Sequence, residues 1–557
     1  MAGPKEANFV TKTHLRQDTP AVGTVISRGF NCGKDAEPLG FRRVGTVGMR
    51  HKALTATAAV AILLSAGAGT ASAGVRPLWF GVEELSVLGS GQGSPEAISN
   101  RIASTKSKYQ RISVSWRELQ PTQPGDATGW QDSNFDQNAI SQLDDAIRAA
   151  SCPAECTTVV GAGLEVILQV EGAPDWAQGP DRPTTGAEGT ELNRHPGAWK
   201  PDPTAFGNLA HALADRYDGT RHATSGYNHL LPKVTYFQAW NEPNLSTHLA
   251  PQYDGSFHRI ADGAYRNLLN AFYEGLLASG RTDVRTLGAG MSPSGDVAVF
   301  KGSSPQEFAR GVLCVKQTKG VWSVIPACGP AKFDIWAQHP YDIQGTPARR
   351  PDYYGRRGVM ADLPAFKSAV AAAVRLGTAL PAVQKPLWVT EFDWWTNPPS
   401  RQFGKAEPLA SRYTADSLWR AWQSGAETLV WYGMRDNLNW MGGLWRASQY
   451  VTARFLTPEI IAADKPKSLL RAFQWPFREV PGRVPYAWGV VPCREAGQKV
   501  VIAQVVRRKW RNIGSTTTSA SGTFVYFLNR KGRGVGRWRA IAPRTCGGVS
   551  PEWNSAW

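Results

Sequence analysis

From Pro77 onward the sequence alternates short apolar runs with longer helical stretches. Alternation of this kind is typical of a parallel sheet closed by helices. Eight strands are predicted, at Trp79–Leu85, Tyr109–Trp116, Leu164–Val170, Val234–Trp240, Arg285–Gly290, Phe333–Gln338, Leu387–Thr390 and Thr428–Tyr432. Helices are predicted between and after them, including Asp136–Ala150, Thr204–Tyr217, Tyr265–Ser279, Leu363–Leu376, Ala410–Ser424 and Lys467–Phe473. Eight strand–helix repeats over about 400 residues predict an α/β fold, the (β/α)8 TIM barrel, with enlarged loops.

Two of these strands end in a glutamate. The fourth runs into Asn241-Glu242-Pro243, where the proline has no N–H to donate to a sheet and therefore ends the strand. The seventh runs into Glu391. Barrel enzymes keep their chemistry at the C-terminal ends of the strands, and two carboxylates on one rim are the equipment of a glycosidase.

Four rim motifs carry a resemblance to a known family: Ala173-Pro-Asp-Trp176, Trp240-Asn-Glu-Pro-Asn244, Gln338-His-Pro-Tyr341 and Trp388-Val-Thr-Glu391. In this order, with Trp431-Tyr432 at strand eight, they resemble the retaining glycoside hydrolases of clan A. The surroundings are most similar to family 39 and its bacterial relatives, over roughly Trp79 to Phe477. One departure is Asp393, which stands where that family usually has glycine and is followed by Trp394 and Trp395. This departure indicates an altered sugar pocket.

The resemblance implies a role for each rim residue. Glu242 would be the acid/base and Glu391 the nucleophile. Asn241 would bind the sugar 2-hydroxyl, His339 and Tyr341 would orient Glu391 or a hydroxyl, and Arg111 would keep the nucleophile ionised. Trp431 would stack on the sugar, and Trp176 is a further substrate-binding candidate. Structural alternatives remain open: a buried ion pair for Arg111, a satisfied strand-end histidine for His339, and core packing for Trp431.

Other rim carboxylates have weaker assignments. Glu171, Asp175 and Asp436 are interpreted as loop caps or substrate contacts, and Glu83 and Glu84 as candidates for binding hydroxyls.

The N-terminal region has the pattern of a processed segment. Met49-Arg-His-Lys52, the apolar run 53–69 and Ala71-Ser-Ala73 are the three parts of a signal peptide with a cleavage site before Gly74. Residues 1–48 are then a mis-assigned leader, although a genuine N-terminal extension stays open. The apolar run is too short for a confident transmembrane helix, so no stable membrane insertion is expected. The mature protein is predicted to be secreted.

Cysteine content agrees with export. Beyond Cys32 in the leader, six cysteines remain, and proximity favours three disulfides: Cys152–Cys156, Cys314–Cys328 and Cys493–Cys546. None of these spacings is a zinc pattern and no His-Glu-x-x-His occurs, so neither a catalytic metal nor a cofactor is expected.

The composition shifts after Phe477. Residues 478–557 hold 14 Lys and Arg against three Glu, a net charge of +11 out of +17 for the whole chain. The runs Lys499–Val506 and Thr523–Leu528 predict a small all-β, sandwich-like domain. Its basic runs suit an anionic cell-wall polymer or acidic glycan better than nucleic acid in an exported protein. The alternative is a structural module that supports the barrel.

The sequence thus predicts a leader (1–48), a signal peptide (49–73), a catalytic barrel (74–477) and a basic C-terminal domain (478–557). The predicted activity is that of a secreted retaining glycoside hydrolase acting on an oligo- or polysaccharide. Two alternatives stay open: a transglycosylase, which shares the covalent intermediate, and a catalytically silent barrel that binds glycans.

Overall fold

The computed structural model describes residues 74–152, 161–182, 197–223, 230–295, 302–350, 357–528 and 536–555. The predicted leader, the signal peptide and Cys156 lie outside these ranges, so the start near Gly74 and the Cys152–Cys156 pairing stay predictions.

Eight parallel strands close into a barrel. They are β1 (Trp79–Glu83), β2 (Tyr109–Ser115), β3 (Glu165–Glu171), β4 (Tyr236–Ala239), β5 (Arg285–Met291), β6 (Ile335–Gln338), β7 (Leu387–Val389) and β8 (Ala426–Tyr432). Closure is made by β1, which pairs with β2 on one side and with β8 on the other, with Gly81 opposite both Tyr109 and Val430. The predicted TIM barrel is confirmed, and every strand lies within a few residues of its predicted position.

The barrel interior is filled by side chains. One cluster takes a single residue from each strand, namely Trp79, Tyr109, Ile167, Tyr236, Leu287, Ile335, Trp388 and Val430. Because side chains alternate along a strand, these residues also define which later positions point inward. Arg111, Gln238 and Tyr432, each two residues after a member of this layer, therefore point into the barrel above it.

Helices surround the sheet and place the strand ends. They are Ser94–Ser104, Gln137–Ser151, Pro203–Arg216, Ala261–Ala278, Pro305–Val312, Leu363–Arg375, Glu407–Gln423 and Ser468–Gln474, with shorter helices at Trp116–Leu119 and Pro458–Ala463. Asp136 and Asp202 accept backbone N–H groups at two of the helix starts, which explains why those helices begin there. Within the described ranges, no helix combines the length and the apolar character needed to cross a bilayer.

An unpredicted hairpin follows the helix Pro305–Val312. Its strands, Val315–Thr318 and Val321–Val324, are antiparallel and lie before β6. Cys314 and Cys328 are joined at its base, with their Cα atoms 5.6 Å apart. This pairing was predicted from proximity and is confirmed.

The C-terminal region forms two antiparallel sheets. One contains β9 (Phe477–Val480), β10 (Tyr486–Val490) and β13 (Thr523–Phe527), and the other contains β11 (Lys499–Val506), β12 (Lys509–Thr517), β14 (Arg537–Ile541) and β15 (Trp553–Asn554). A shared apolar cluster takes Phe477 and Phe524 from the first sheet and Ile502 and Trp538 from the second, as in a sandwich. The predicted disulfide Cys493–Cys546 is present, with a Cα–Cα distance of 4.5 Å.

Candidate active site

The turn after β4 presents Glu242. Two non-glycine residues adopt left-handed backbone there, Trp240 with φ +70° and Glu242 with φ +40°. Such backbone is costly for these residue types and persists where surrounding contacts enforce it. Here the Glu242 N–H donates to the Gly290 carbonyl (3.0 Å), and the Trp240 indole donates to the His248 carbonyl (2.9 Å). The backbone is thus bent to aim the Glu242 carboxylate over the barrel.

Glu391 follows β7 and faces Glu242. A carboxylate oxygen of each glutamate and a ring nitrogen of His339 all lie within 4.8 Å of one another. Retaining glycosidases hold their two carboxyl groups about 5–5.5 Å apart, whereas inverting enzymes leave about 6.5–9.5 Å for a water molecule. The closest oxygens of Glu242 and Glu391 are no more than 4.8 Å apart, which is nearer to the first range than to the second.

Arg111 on β2 is fully buried and holds the base of the site together. Its Nη1 donates to Glu391 Oε1 (2.8 Å) and also to Glu83 Oε2. Its Nη2 donates to Asn241 Oδ1 (3.2 Å), which fixes the amide beside Glu242. Burial opposes its charge, but Glu83 and Glu391 outweigh that effect and raise the pKa of Arg111. Both readings of Arg111 are therefore present in one residue: it is buried in an ion pair, and it contacts the candidate nucleophile.

The second oxygen of Glu391 is held by a tyrosine. Tyr341 donates its hydroxyl to Glu391 Oε2 (3.0 Å). Burial raises the pKa of Glu391 well above its usual range, the charges of Glu83 and Glu242 act in the same direction, and Arg111 and Tyr341 oppose them. Arg111 and Tyr341 are therefore the two groups that favour the ionised form of this carboxyl.

His339 lies between the two glutamates. Its Nδ1 is 3.3 Å from Glu242 Oε1 and 3.5 Å from Glu391 Oε1, and its Nε2 is 3.0 Å from Thr390 Oγ1. Burial lowers the pKa of His339 to about 4, so the ring is neutral near neutral pH. Because Nδ1 faces carboxylate oxygens, we assign the ring proton to Nδ1 and let Nε2 accept from Thr390. His339 thus acts as a neutral donor between the two carboxylates.

Sequence reasoning did not single out His248. Its Nδ1 lies 3.0 Å from Glu171 Oε2, at the end of β3, and its Nε2 lies 3.9 Å from Glu242 Oε2. The residue belongs to no rim motif, and a histidine six positions after a strand-end glutamate gives no signal by itself. Glu171 is brought to Glu242 through this histidine.

Trp431 does not lie on the open rim of the barrel. It is fully buried, and its indole donates to the Gly442 carbonyl (2.8 Å) while its ring packs on Phe473. The stacking role expected for Trp431 is thus corrected to core packing. Strand alternation gives the reason, because Val430 points into the barrel and Trp431 must point outward toward the helices.

Trp440 occupies the rim position instead. This half-buried indole packs edge-on against Tyr341 (5.6 Å), Tyr432 (5.1 Å) and Trp395 (5.1 Å). Its Nε1 donates to Asp393 Oδ2. Asp393, which departs from the family pattern, therefore orients the Trp440 ring. That ring contacts Tyr341, which donates a hydrogen bond to Glu391. Trp394 turns away and donates to Ser417 (3.0 Å).

The other rim residues that the sequence singled out bond to protein groups away from the two glutamates. Glu84 accepts the backbone N–H groups of Ser86, Met434 and Arg435, and Asp436 pairs with Lys467 (2.5 Å). Trp176 donates to the Gln120 carbonyl (2.9 Å) and lines a cleft of about 230 Å³ with Gln123, Pro124 and Asn208. Asp175 is exposed and paired with Arg117 and Arg182. Among described contacts, none of these four residues bonds to Glu242 or Glu391.

Two clusters have donor atoms close enough for a metal ion. In the first, Cys493 and Cys546 are joined in a disulfide and offer no thiolate. In the second, Glu242, His339 and Glu391, the guanidinium of Arg111 already lies 2.8 Å from Glu391 Oε1 and would repel a cation there. The absence of a catalytic metal stays a prediction, which this charge distribution favours.

No protein-family model matches the sequence, and no curated protein does. Solved structures are similar in fold. One is a family 39 glycoside hydrolase from the gut symbiont Bacteroides cellulosilyticus, with 15% identity, a TM-score of 0.46, and coverage of 82% of this chain and 81% of that one. Another is the β-glycosidase of Thermosphaera aggregans, with 12% identity, a TM-score of 0.40, and coverage of 72% and 98%. A GH5-4 endoglucanase from Clostridium acetobutylicum has 12% identity, a TM-score of 0.37, and coverage of 64% and 87%.

These structures are glycoside hydrolases. Family 39, which the rim motifs of this chain resemble, is among them.

Proposed function

We propose that this chain is a retaining glycoside hydrolase that cleaves O-glycosidic bonds of an oligo- or polysaccharide. The observation that carries the proposal is the pair of strand-end carboxylates, Glu242 and Glu391, whose oxygens lie within 4.8 Å of each other. That separation suits direct attack by one carboxylate rather than by an interposed water. The asymmetry between them assigns the roles, because Arg111 and Tyr341 both donate to Glu391.

In the first step Glu391 attacks the anomeric carbon while Glu242 gives its proton to the departing oxygen. The glycosidic bond breaks and a glycosyl ester of Glu391 forms. Arg111 and Tyr341 hold Glu391 in its ionised, attacking form. In the second step Glu242 takes a proton from water, which attacks the same carbon and releases Glu391.

The sugar would lie between Asn241 and Trp440. Asn241 accepts from Arg111 through its oxygen (3.2 Å), which leaves the amide NH2 for a hydroxyl of the sugar. Trp440 offers the half-buried ring, held by Asp393, on which a sugar face can stack. In this pocket Trp440 takes the stacking role that the sequence analysis expected for Trp431.

The test uses two alanine variants and azide. Glu242→Ala should still cleave activated aryl glycosides, whose leaving groups need no proton, and azide should restore its deglycosylation with a glycosyl azide of retained configuration. Glu391→Ala should lose at least about 10⁴-fold in kcat and give, with azide, a product of inverted configuration. Glu274→Ala, at an exposed carboxylate on the outer helix Ala261–Ala278, is the control and should keep full activity.

If Glu242→Ala gave the inverted glycosyl azide and Glu391→Ala the retained one, the two roles would have to be reversed. A protein that binds glycans but neither turns over aryl glycosides nor forms a glycosyl-enzyme would be the silent barrel. Transfer to an added sugar in preference to water would identify the transglycosylase.

Secretion belongs to the same proposal. The supporting observations are the signal-peptide pattern before Gly74 and the disulfides Cys314–Cys328 and Cys493–Cys546, which an oxidising compartment maintains.

We also propose that the C-terminal sheets hold the protein on an anionic glycan or wall polymer. The supporting feature is the β11–β12 hairpin, where Arg507, Arg508, Lys509 and Arg511 are exposed. Among the described residues, none of these four cations has an acidic partner. Beside them Arg539 stacks on the Trp510 ring at 4.0 Å, which adds an aromatic surface to the basic one.

A further inference from the structure

The Glu242 carboxylate lies between two imidazoles. Its Oε1 faces His339 Nδ1 at 3.3 Å, and its Oε2 faces His248 Nε2 at 3.9 Å. His339 is completely buried, and the His248 side chain is 10% exposed. A carboxylate held between a histidine in the loop after β4 and a histidine just after β6 senses the protonation state of each of them.

The pKa values of the two histidines are shifted in opposite directions. His339 is neutral near neutral pH because burial lowers its pKa to about 4. Burial also acts to lower the pKa of His248, but its hydrogen bond to Glu171 and the charges of Glu171 and Glu242 outweigh burial and raise that pKa. One oxygen of Glu242 therefore faces an imidazole whose pKa is lowered, and the other faces an imidazole whose protonated form is favoured by Glu171 and Glu242.

The position of His248 is fixed independently of substrate. Its backbone carbonyl accepts the Trp240 indole N–H (2.9 Å), and its backbone N–H donates to the Leu245 carbonyl (3.0 Å). Its Nδ1 is held 3.0 Å from Glu171 Oε2, so Nε2 is directed at Glu242. This geometry is that of a carboxylate–imidazole pair orienting the outer ring nitrogen toward a third group.

We propose that the Glu171–His248 pair is a positioning pair, which holds a cationic imidazole against Glu242 Oε2 and thereby favours the carboxylate form of Glu242 in the second step. The inference rests on the proposed retaining mechanism, in which Glu242 must be an acid first and a base afterwards. Proton balance is kept, because Glu242 exchanges its proton with the leaving group and then with water, while His248 keeps its own.

The groups facing Glu242 explain why the cation acts mainly in the second step. In the free site, Glu242 and Glu391 repel each other, which contributes to the raised pKa of Glu391, and His248 faces Glu242 from the other side. Once Glu391 is esterified by the sugar, its charge is gone and the cation of His248 is no longer opposed. The neighbouring groups are then Glu171 on β3, neutral His339 just after β6 and Arg111 on β2, whose charge is shared with Glu83.

The first measurement does not depend on activity. Imidazole resonances of the full-length protein are titrated by NMR, with His248 assigned through His248→Gln and the exposed His258 through His258→Gln. His248 should titrate above an ordinary histidine. Glu171→Gln and Glu242→Gln should each lower its midpoint and leave that of His258 unchanged. A His248 midpoint at or below that of an ordinary histidine, or one indifferent to Glu242→Gln, would overturn the proposal.

Kinetics supply the second measurement. With an aryl glycoside of good leaving group, where deglycosylation limits turnover, His248→Gln should lower kcat by about tenfold, a part of the roughly 10²–10⁴-fold that general acid–base catalysis supplies. With a poor leaving group the loss should be smaller. The basic limb of kcat/KM should move to higher pH, because losing the cation disfavours the carboxylate form of Glu242. Glu171→Gln should repeat this pattern in weaker form.

The outcomes separate this inference from the proposed function. A merely structural role for His248 predicts equal losses for both leaving groups and an unmoved basic limb, which would refute the inference while retention of configuration still stood. If the native protein formed no glycosyl-enzyme, the proposed function would fail, and the NMR titration would still decide whether His248 carries the charge that couples it to Glu242.

Discussion

The pKa of Glu391 is set by burial, which raises it, and by individual side chains that oppose this effect. Burial raises the pKa of Glu391, so this carboxyl stays protonated to a higher pH than an ordinary glutamate. In the proposed mechanism only the ionised form of Glu391 attacks, so activity should be lost as pH falls through the raised pKa. Tyr341 opposes the shift by donating to Oε2 at 3.0 Å.

Tyr341→Phe should consequently raise the pKa of Glu391 further and move the acid limb of kcat/KM to higher pH. A hydrogen bond to a charged group is worth about 1.5–3 kcal/mol, so its loss should displace the acid limb measurably. Tyr432→Phe is the matched control, since Tyr432 lies near Glu391 without a described hydrogen bond to it. An acid limb that stays in place in Tyr341→Phe would show that this hydrogen bond does not stabilise the ionised form.

At the scale of one element, the end of β5 supports both sides of the site. Gly290 has φ +64°, and a Cβ there would lie 2.5 Å from Gln238 Nε2 and 3.2 Å from His339 Nε2. Its carbonyl accepts the Glu242 N–H. The strand therefore approaches the site so closely that no side chain fits.

Gly290→Ala should lower activity by displacing Gln238 and His339. Gly377→Ala is a matched control, because Gly377 also has left-handed backbone (φ +74°) but has open space around its Cβ position. Each variant bears the cost of left-handed alanine, about 1–2 kcal/mol. The difference in melting temperature and in kcat/KM between them measures the contact at the site, and equal values in the two variants would contradict this account of β5.

For the whole molecule, the question is what the C-terminal sheets do. They are packed on the barrel helix Glu407–Gln423: the Trp419 indole donates to the Tyr486 hydroxyl (3.1 Å), and Trp422 packs on Trp488 (5.8 Å). Arg478 pairs with Asp416 and lies 3.9 Å above the Trp419 ring. Removing residues 478–557 would expose this apolar surface, so the charge hypothesis is better tested in the full chain.

The triple variant Arg507→Asn, Arg508→Asn, Arg511→Gln should elute from immobilised polygalacturonate at lower salt than the native protein. Exposed charges are screened beyond about 8 Å at physiological salt, so retention should vanish as ionic strength rises. Lys316→Gln, Lys319→Asn, Arg375→Gln removes the same charge from exposed barrel positions and is the control. If the two triple variants eluted at the same salt concentration, the hairpin would not bind the anionic polymer, and the structural role of the C-terminal sheets would be favoured.

Much of this architecture follows from the sequence. Short apolar runs between helical stretches place all eight barrel strands, and Lys499–Val506 is predicted to the residue, because burial of a regular element imposes a local pattern. Glu242 and Glu391 were found for the same reason, since each stands at the end of such a run. Cysteines close in sequence paired as proximity suggested.

Tertiary structure decided what surrounds the two glutamates. Arg111 joins Glu83, Asn241 and Glu391, and Glu171 meets His248, across long separations that no local pattern records. Strand alternation turns Trp431 into the core, while a loop folded onto Asp393 brings Trp440, which the sequence did not single out, to the rim. Elements are fixed by the periodic burial of neighbouring residues, whereas polar partners are chosen by proximity in space once the strands have closed the barrel.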